Sequence, residues 1–104
     1  MDKIKILNKE YKLLEPTGYE IMKVTSWIEN EETPEKFKTN STTGFYLIYS
    51  SLEDDNGNEL SDEIDFKTFL KSVKIPMLRR LEKSINKFQT VGETESTEEN
   101  DSIN

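Results

Sequence analysis

Asp54, Asp55, Asn56, Gly57, Asn58, Glu59 and Glu63 come closest, by type and spacing, to doing chemistry. Carboxylate and amide oxygens around a glycine are what a calcium loop uses. With Gly57 at the sixth position of such a loop, Asp54 falls third, Asn56 fifth and Glu63 twelfth, all acceptable. The same register puts Leu52 at the first ligand position and the charged Glu59 where an apolar residue belongs. A site that fails at its first ligand is better read as an Asn-Gly turn in a solvated acidic loop. Asp54, Asp55 and Glu59 also make a poor acid–base set, because no apolar surroundings raise one carboxyl above the others. The chain has no His and no Cys, which removes the commonest general base, the commonest transition-metal ligand and every thiolate. Ser, Thr, Tyr and Lys are left as nucleophiles without a histidine to activate them, and the four glycines form no phosphate loop. The expectation is a non-enzymatic protein with no catalytic, cofactor or metal site.

Binding is the remaining class, and charge is the first guide to it. The net charge of −7 over 104 residues is strongly segregated. Residues 1–28 carry +1, 29–65 carry −9, 66–89 carry +6 and 90–104 carry −5. The basic segment includes Arg79, Arg80, Lys83 and Lys87 on one side of an amphipathic pattern. It lacks interleaved aromatics and lies between acidic segments, so a solvated helix face explains it better than phosphate binding. Met22, Met77 and Leu78 are candidate apolar contacts, since methionine adapts to irregular partner surfaces. Together with Arg79, Arg80 and Lys83 they form the candidate partner-binding set.

The elements that would position these residues follow from periodicity. Ile4, Ile6, Tyr11 and Leu13 alternate with polar residues about an Asn8-Lys9 break, which reads as a β-hairpin. Thr17 and Glu20 fit a capping box, and Ile21, Val24, Trp27 and Ile28 recur at helical spacing over residues 18–30. Trp27 is assigned to the core with them. Residues 29–43 read as a polar loop, with Thr33-Pro34 able to start one helical turn and Phe37 pinning it. The uncharged stretch 44–52 suits a helix through Phe45, Ile48, Tyr49 and Leu52, and a strand through Phe45, Leu47 and Tyr49. A strand would have to pair with a hairpin more than thirty residues away, whereas the preceding Ser and Thr can cap a helix, so helix is expected. Asp65 can cap a helix lined by Phe66, Phe69, Leu70 and Val73. Pro76 then opens another that runs to about Gln89, with Met77 or Leu78, Leu81, Ile85 and Phe88 inward. The predicted fold is α+β and mostly helical: one domain over 1–90, a hairpin followed by about four helices, and a disordered acidic tail over 91–104.

The order of these parts resembles a known family. A short hairpin (Ile4 to Leu13) leads into a Pro16-Thr17-Gly18 helix, and a polar loop precedes the Phe45–Leu52 helix. An acidic Asn56-Gly57 turn with Leu60-Ser61 introduces the C-terminal pair. Over residues 3–90 this is similar to the tail assembly chaperones of long-tailed bacteriophages. The resemblance implies a small α+β protein that binds the tape measure protein before tail-tube polymerisation, with the major tail protein as a second candidate partner. It further implies self-association, a place in the host cytoplasm, absence from the mature virion and no catalytic residues. Neither nucleic acid nor membrane is an expected partner. The competing reading is an acidic inhibitor that mimics nucleic acid, motivated by the −9 of residues 29–65.

Overall fold

Residues 3–14 form the expected hairpin, and their alternation decides which face is buried. In the computed structural model, which describes residues 3–88, β1 (Lys3–Ile6) pairs antiparallel with β2 (Lys9–Leu13). Ile4, Ile6, Tyr11 and Leu13 are all buried. The turn residues are Leu7 and Asn8, with φ of 50° and 68°. Positive φ at both central positions is what a two-residue type I′ turn requires, and it matches the twist of the flanking strands. The turn therefore lies one residue earlier than the Asn8-Lys9 break suggests. The acidic tail expected at 91–104 lies outside the described residues.

The capping box starts α1 (Gly18–Glu29) as the sequence predicts. The Thr17 hydroxyl accepts from the Tyr19 N–H at 3.3 Å, and the Glu20 carboxylate accepts from the Thr17 N–H at 2.9 Å. Both bonds satisfy orphan donors of the first turn. Val24 is buried and Ile28 packs on the core, but Ile21 is 47 % exposed. Ile21 was expected on the core face. It borders instead a cavity of about 470 Å³ that Gly44 also lines, and Gly44 offers no side chain to cover it.

A 3-10 turn over Glu35–Phe37 follows Pro34, and α2 (Asn40–Ser50) begins four residues before the uncharged stretch. Thr39 caps it by accepting from the Thr42 N–H at 3.2 Å, which draws residues 40–43 out of the expected loop. Ile48 and Tyr49 face inward as predicted; Leu47 is buried as well, and Phe45 is half-buried. Leu52 departs from expectation. It is fully buried, yet it belongs to β3 (Leu52–Glu53), which pairs antiparallel with β2 through Leu13↔Leu52 and Lys12↔Glu53. The free edge of β2 carries backbone groups that need partners, and the chain leaving α2 returns directly to meet them, with Leu14 N–H donating to Ser51 C=O at 3.0 Å. The sheet thus has three strands in the order β1-β2-β3.

Two short helices, α3 (Leu60–Glu63) and α4 (Phe66–Ser72) capped by Asp65, and a longer one, α5 over residues 75–88, complete the body. Asp65 accepts from the Thr68 N–H at 2.8 Å. Phe69, Leu81 and Ile85 join Leu13, Ile48 and Leu52 in the deepest layer of the core. The fold is α+β and mostly helical, and among the described residues no helix is long and apolar enough to cross a membrane.

The acidic loop is fastened to the hairpin. Asp54 is 4 % exposed, and its carboxylate accepts from the backbone N–H groups of Asn56 (2.8 Å) and Asn58 (2.9 Å) and from the Asn58 amide (3.1 Å). Lys9 Nζ lies 2.8 Å from Asp54 Oδ2 and 2.8 Å from Glu63 Oε2. Lys9 and these donors hold the Asp54 carboxyl well below the usual carboxylate range, while Asp54 and then Glu63 raise the Lys9 ammonium above its own. The Asp54 oxygens that a cation would need are already taken by donors within the protein.

Candidate partner-binding groove

Once the capping box fixes the start of α1, helical phase places Tyr19, Met22, Lys23, Ser26, Trp27 and Asn30 in one stripe. This stripe forms one wall of a cavity of about 470 Å³. The opposite wall is Tyr46 and Tyr49 of α2 with Ser61 and Asp62 of α3. Tyr19 and Met22 stand at its rim, 55 % and 70 % exposed.

Trp27 forms the floor through ring contacts. It stacks on Tyr46 with centroids 4.4 Å apart and 13° between planes, and meets Phe66 edge-on at 5.4 Å. Tyr46 and Phe66 are 4.9 Å apart, and Tyr49 lies 5.5 Å from the fully buried Phe69. Offset and edge contacts of this kind stiffen a surface beyond the area they bury. The Tyr49 hydroxyl donates to the backbone carbonyls of Ile64 and Ser61, tying α2 to the α3–α4 junction. Burial pushes the Tyr49 phenol up to about 12 and raises that of Tyr46.

Lys23 is the cation within the groove, and it is already partnered. Its Nζ lies 2.9 Å from Glu59 Oε1, 2.8 Å from Ser61 Oγ and 4.7 Å from the Tyr19 ring centroid. Burial works to lower the Lys23 pKa, but Glu59 and the neighbouring groups outweigh it and the net shift is upward. Tyr19 closes the set by donating to Glu59 Oε2 at 3.3 Å. Beyond Trp27 and Asn30 the groove opens into a second cavity of about 800 Å³, which both residues share. Pro34, Phe37, Phe66 and Leu70 supply its apolar lining.

The residues singled out from the sequence do not converge. Met22 is on the groove rim, whereas residues 77–83 lie on α5 and none of them lines that cavity. Leu78 is 8 % exposed and belongs to the core, and Met77 is half-buried against it. Leu78 is therefore withdrawn as a partner contact: its helix has to bury the Leu78–Leu81–Ile85 line to join the body at all. Arg79, Arg80 and Lys83 are exposed, with Arg79 3.4 Å from Glu82. Tyr19, Lys23, Trp27 and Tyr46 were missed as site residues. The first three were within reach, since they share the helical stripe of Met22, while Tyr46 enters only through the packing of α2 on α1.

Such a groove can hold an apolar side-chain row by shape and aromatic contact, with hydrogen-bonding groups at its edges. No protein-family model, curated protein or solved structure matches the chain.

Proposed function

We propose that the protein is a non-enzymatic binding module that receives an apolar-faced helix of a partner along α1, acting as a tail assembly chaperone for a tape measure protein. One observation carries this reading: Tyr19 and Met22 stand exposed over an aromatic floor of Trp27, Tyr46 and Tyr49. Large apolar side chains left uncovered beside a groove mark an interaction surface. A helix presents apolar residues at i, i+3, i+4 and i+7, the same spacing as the α1 wall, so two such faces interdigitate. A protein whose task is to keep long apolar helices in solution needs this surface and a strongly charged exterior, and the chain carries −7.

Internal use of the acids weighs against the nucleic-acid mimic. Asp54 and Glu63 hold Lys9, and Glu59 holds Lys23, which spends three carboxylates that a mimic would have to display. The test is co-expression with a tape measure protein of the same source, which this reading requires to exist. The reading expects the tape measure protein to stay soluble and to co-purify with the chain. A tape measure protein that remains insoluble, or elutes separately, contradicts it.

A further inference from the structure

The charges around the groove are unequal, and the inequality concerns the partner. Asp62 lines the cavity, and at its Asn30 end Glu29, Glu31 and Glu32 follow one another closely, all exposed. None of these four carboxylates enters an ion pair among the described residues. Lys23 is bonded to Glu59 and Ser61, and Asp62 acts on it only at longer range. The larger cavity, by contrast, is balanced, with Lys36 and Lys67 against Glu32 and Asp65.

Glu29 ends α1, and the last turn of that helix contains no basic residue. The final carbonyls of a helix present partial negative charge, so carboxylates gathered there are unfavourable and a cation is favoured. Lys36 and Lys67 line the adjoining cavity with Glu32, but no cation pairs with Glu29 or Glu31 among the described residues. The groove is therefore apolar along its length, with an excess of negative charge on one edge and at one end.

We infer that the helix received by this groove is cationic: an amphipathic segment whose apolar row lies on Tyr19, Met22 and Trp27 and whose Lys or Arg residues meet Asp62 and Glu29, Glu31 and Glu32. This rests on the helix-binding reading above and adds the chemical class of the partner. The wall formed by the 12 residues of α1 is about 18 Å long, which matches some three turns of a partner helix. Arg and Lys stems would also cover apolar surface at the rim while their heads reach the carboxylates.

Trp27 is the sole tryptophan, so its emission reports the groove directly. Three helical peptides with one shared Leu/Phe face and polar faces of Lys, Glu or Gln are titrated into the full chain at low salt. The expected result is a change in Trp27 emission with the Lys peptide binding at least tenfold more tightly than the Glu peptide. That gap closes as salt rises, because exposed pairs are screened. The triple variant E29Q/E31Q/E32Q narrows the gap by weakening the Lys peptide and strengthening the Glu peptide; an unchanged gap overturns the assignment of these carboxylates. Equal binding of the Lys and Glu peptides overturns the charge assignment and leaves the helix-binding reading standing. Binding of none of the three overturns both.

Discussion

Ser50 ends α2 only 2 % exposed, and its hydroxyl is the buried side-chain oxygen without a hydrogen-bond partner among the described residues. Its neighbour Ser51 shows the usual solution, donating to the Leu47 carbonyl at 2.7 Å. An unsatisfied buried hydroxyl is a cost, and alanine is also the better helix former. Ser50→Ala should therefore raise stability by about 1 kcal/mol, read from urea denaturation. A loss of stability would mean that the hydroxyl is partnered. The Lys9–Asp54 contact makes a pH prediction. The folded-state pKa of Asp54 is depressed, so its contribution is present above the unfolded value near 3.9 and is lost as pH falls below it. Lys9 and Tyr49 are raised, so their contributions are complete below about 10 and are lost as pH rises beyond it. Stability should plateau between about pH 5 and pH 10. Asp54→Asn should lower the urea midpoint at pH 7, flatten the acid limb and weaken the Lys9 part of the alkaline limb, leaving the Tyr49 part in place. An unchanged acid limb would contradict the assignment.

At the scale of elements, what the sequence made legible is what is decided within a few residues. The hairpin follows from alternation, and the start of α1 follows from Thr17 and Glu20 three positions apart. Thr17→Ala should cost about 1 kcal/mol and lower the thermal midpoint. A variant as stable as the parent would show that the Glu20 bond alone suffices. The two-residue strand β3 was not legible, because Leu52 has no strand character until α2 has brought it beside Leu13. The start of α2 was hidden for a different reason: Asn40, Ser41, Thr42 and Thr43 have loop composition, and a Thr39 cap with a buried C-terminal half overrides it. The groove was half legible. Tyr19, Met22 and Trp27 lie on one helical stripe in any register, but Ile21 and Trp27 were placed on the core face by the same periodicity. Periodicity identifies apolar stripes without saying which one a neighbour will cover; Gly44 leaves Ile21 open, and Tyr46 with Phe66 half-covers Trp27.

For the whole molecule, the sequence offered one partner-binding set, with Met22 on the first helix and Met77, Leu78, Arg79, Arg80 and Lys83 on the last. The fold separates them, placing Met22 beside an aromatic cavity and leaving Arg79, Arg80 and Lys83 as an exposed face of α5 over a buried line. The charge pattern is consistent with the first surface, since Glu29, Glu31 and Glu32 stand exposed at the end of α1 and enter no ion pair among the described residues. The measurement that bears most directly on the central claim compares single substitutions on the two surfaces. Met22→Lys and Lys83→Glu are each co-expressed with the proposed tape measure partner, with circular dichroism confirming that both variants fold. The account predicts that Met22→Lys loses that partner on purification and that Lys83→Glu retains it. Retention by Met22→Lys together with loss by Lys83→Glu would move the binding surface to α5 and contradict the account.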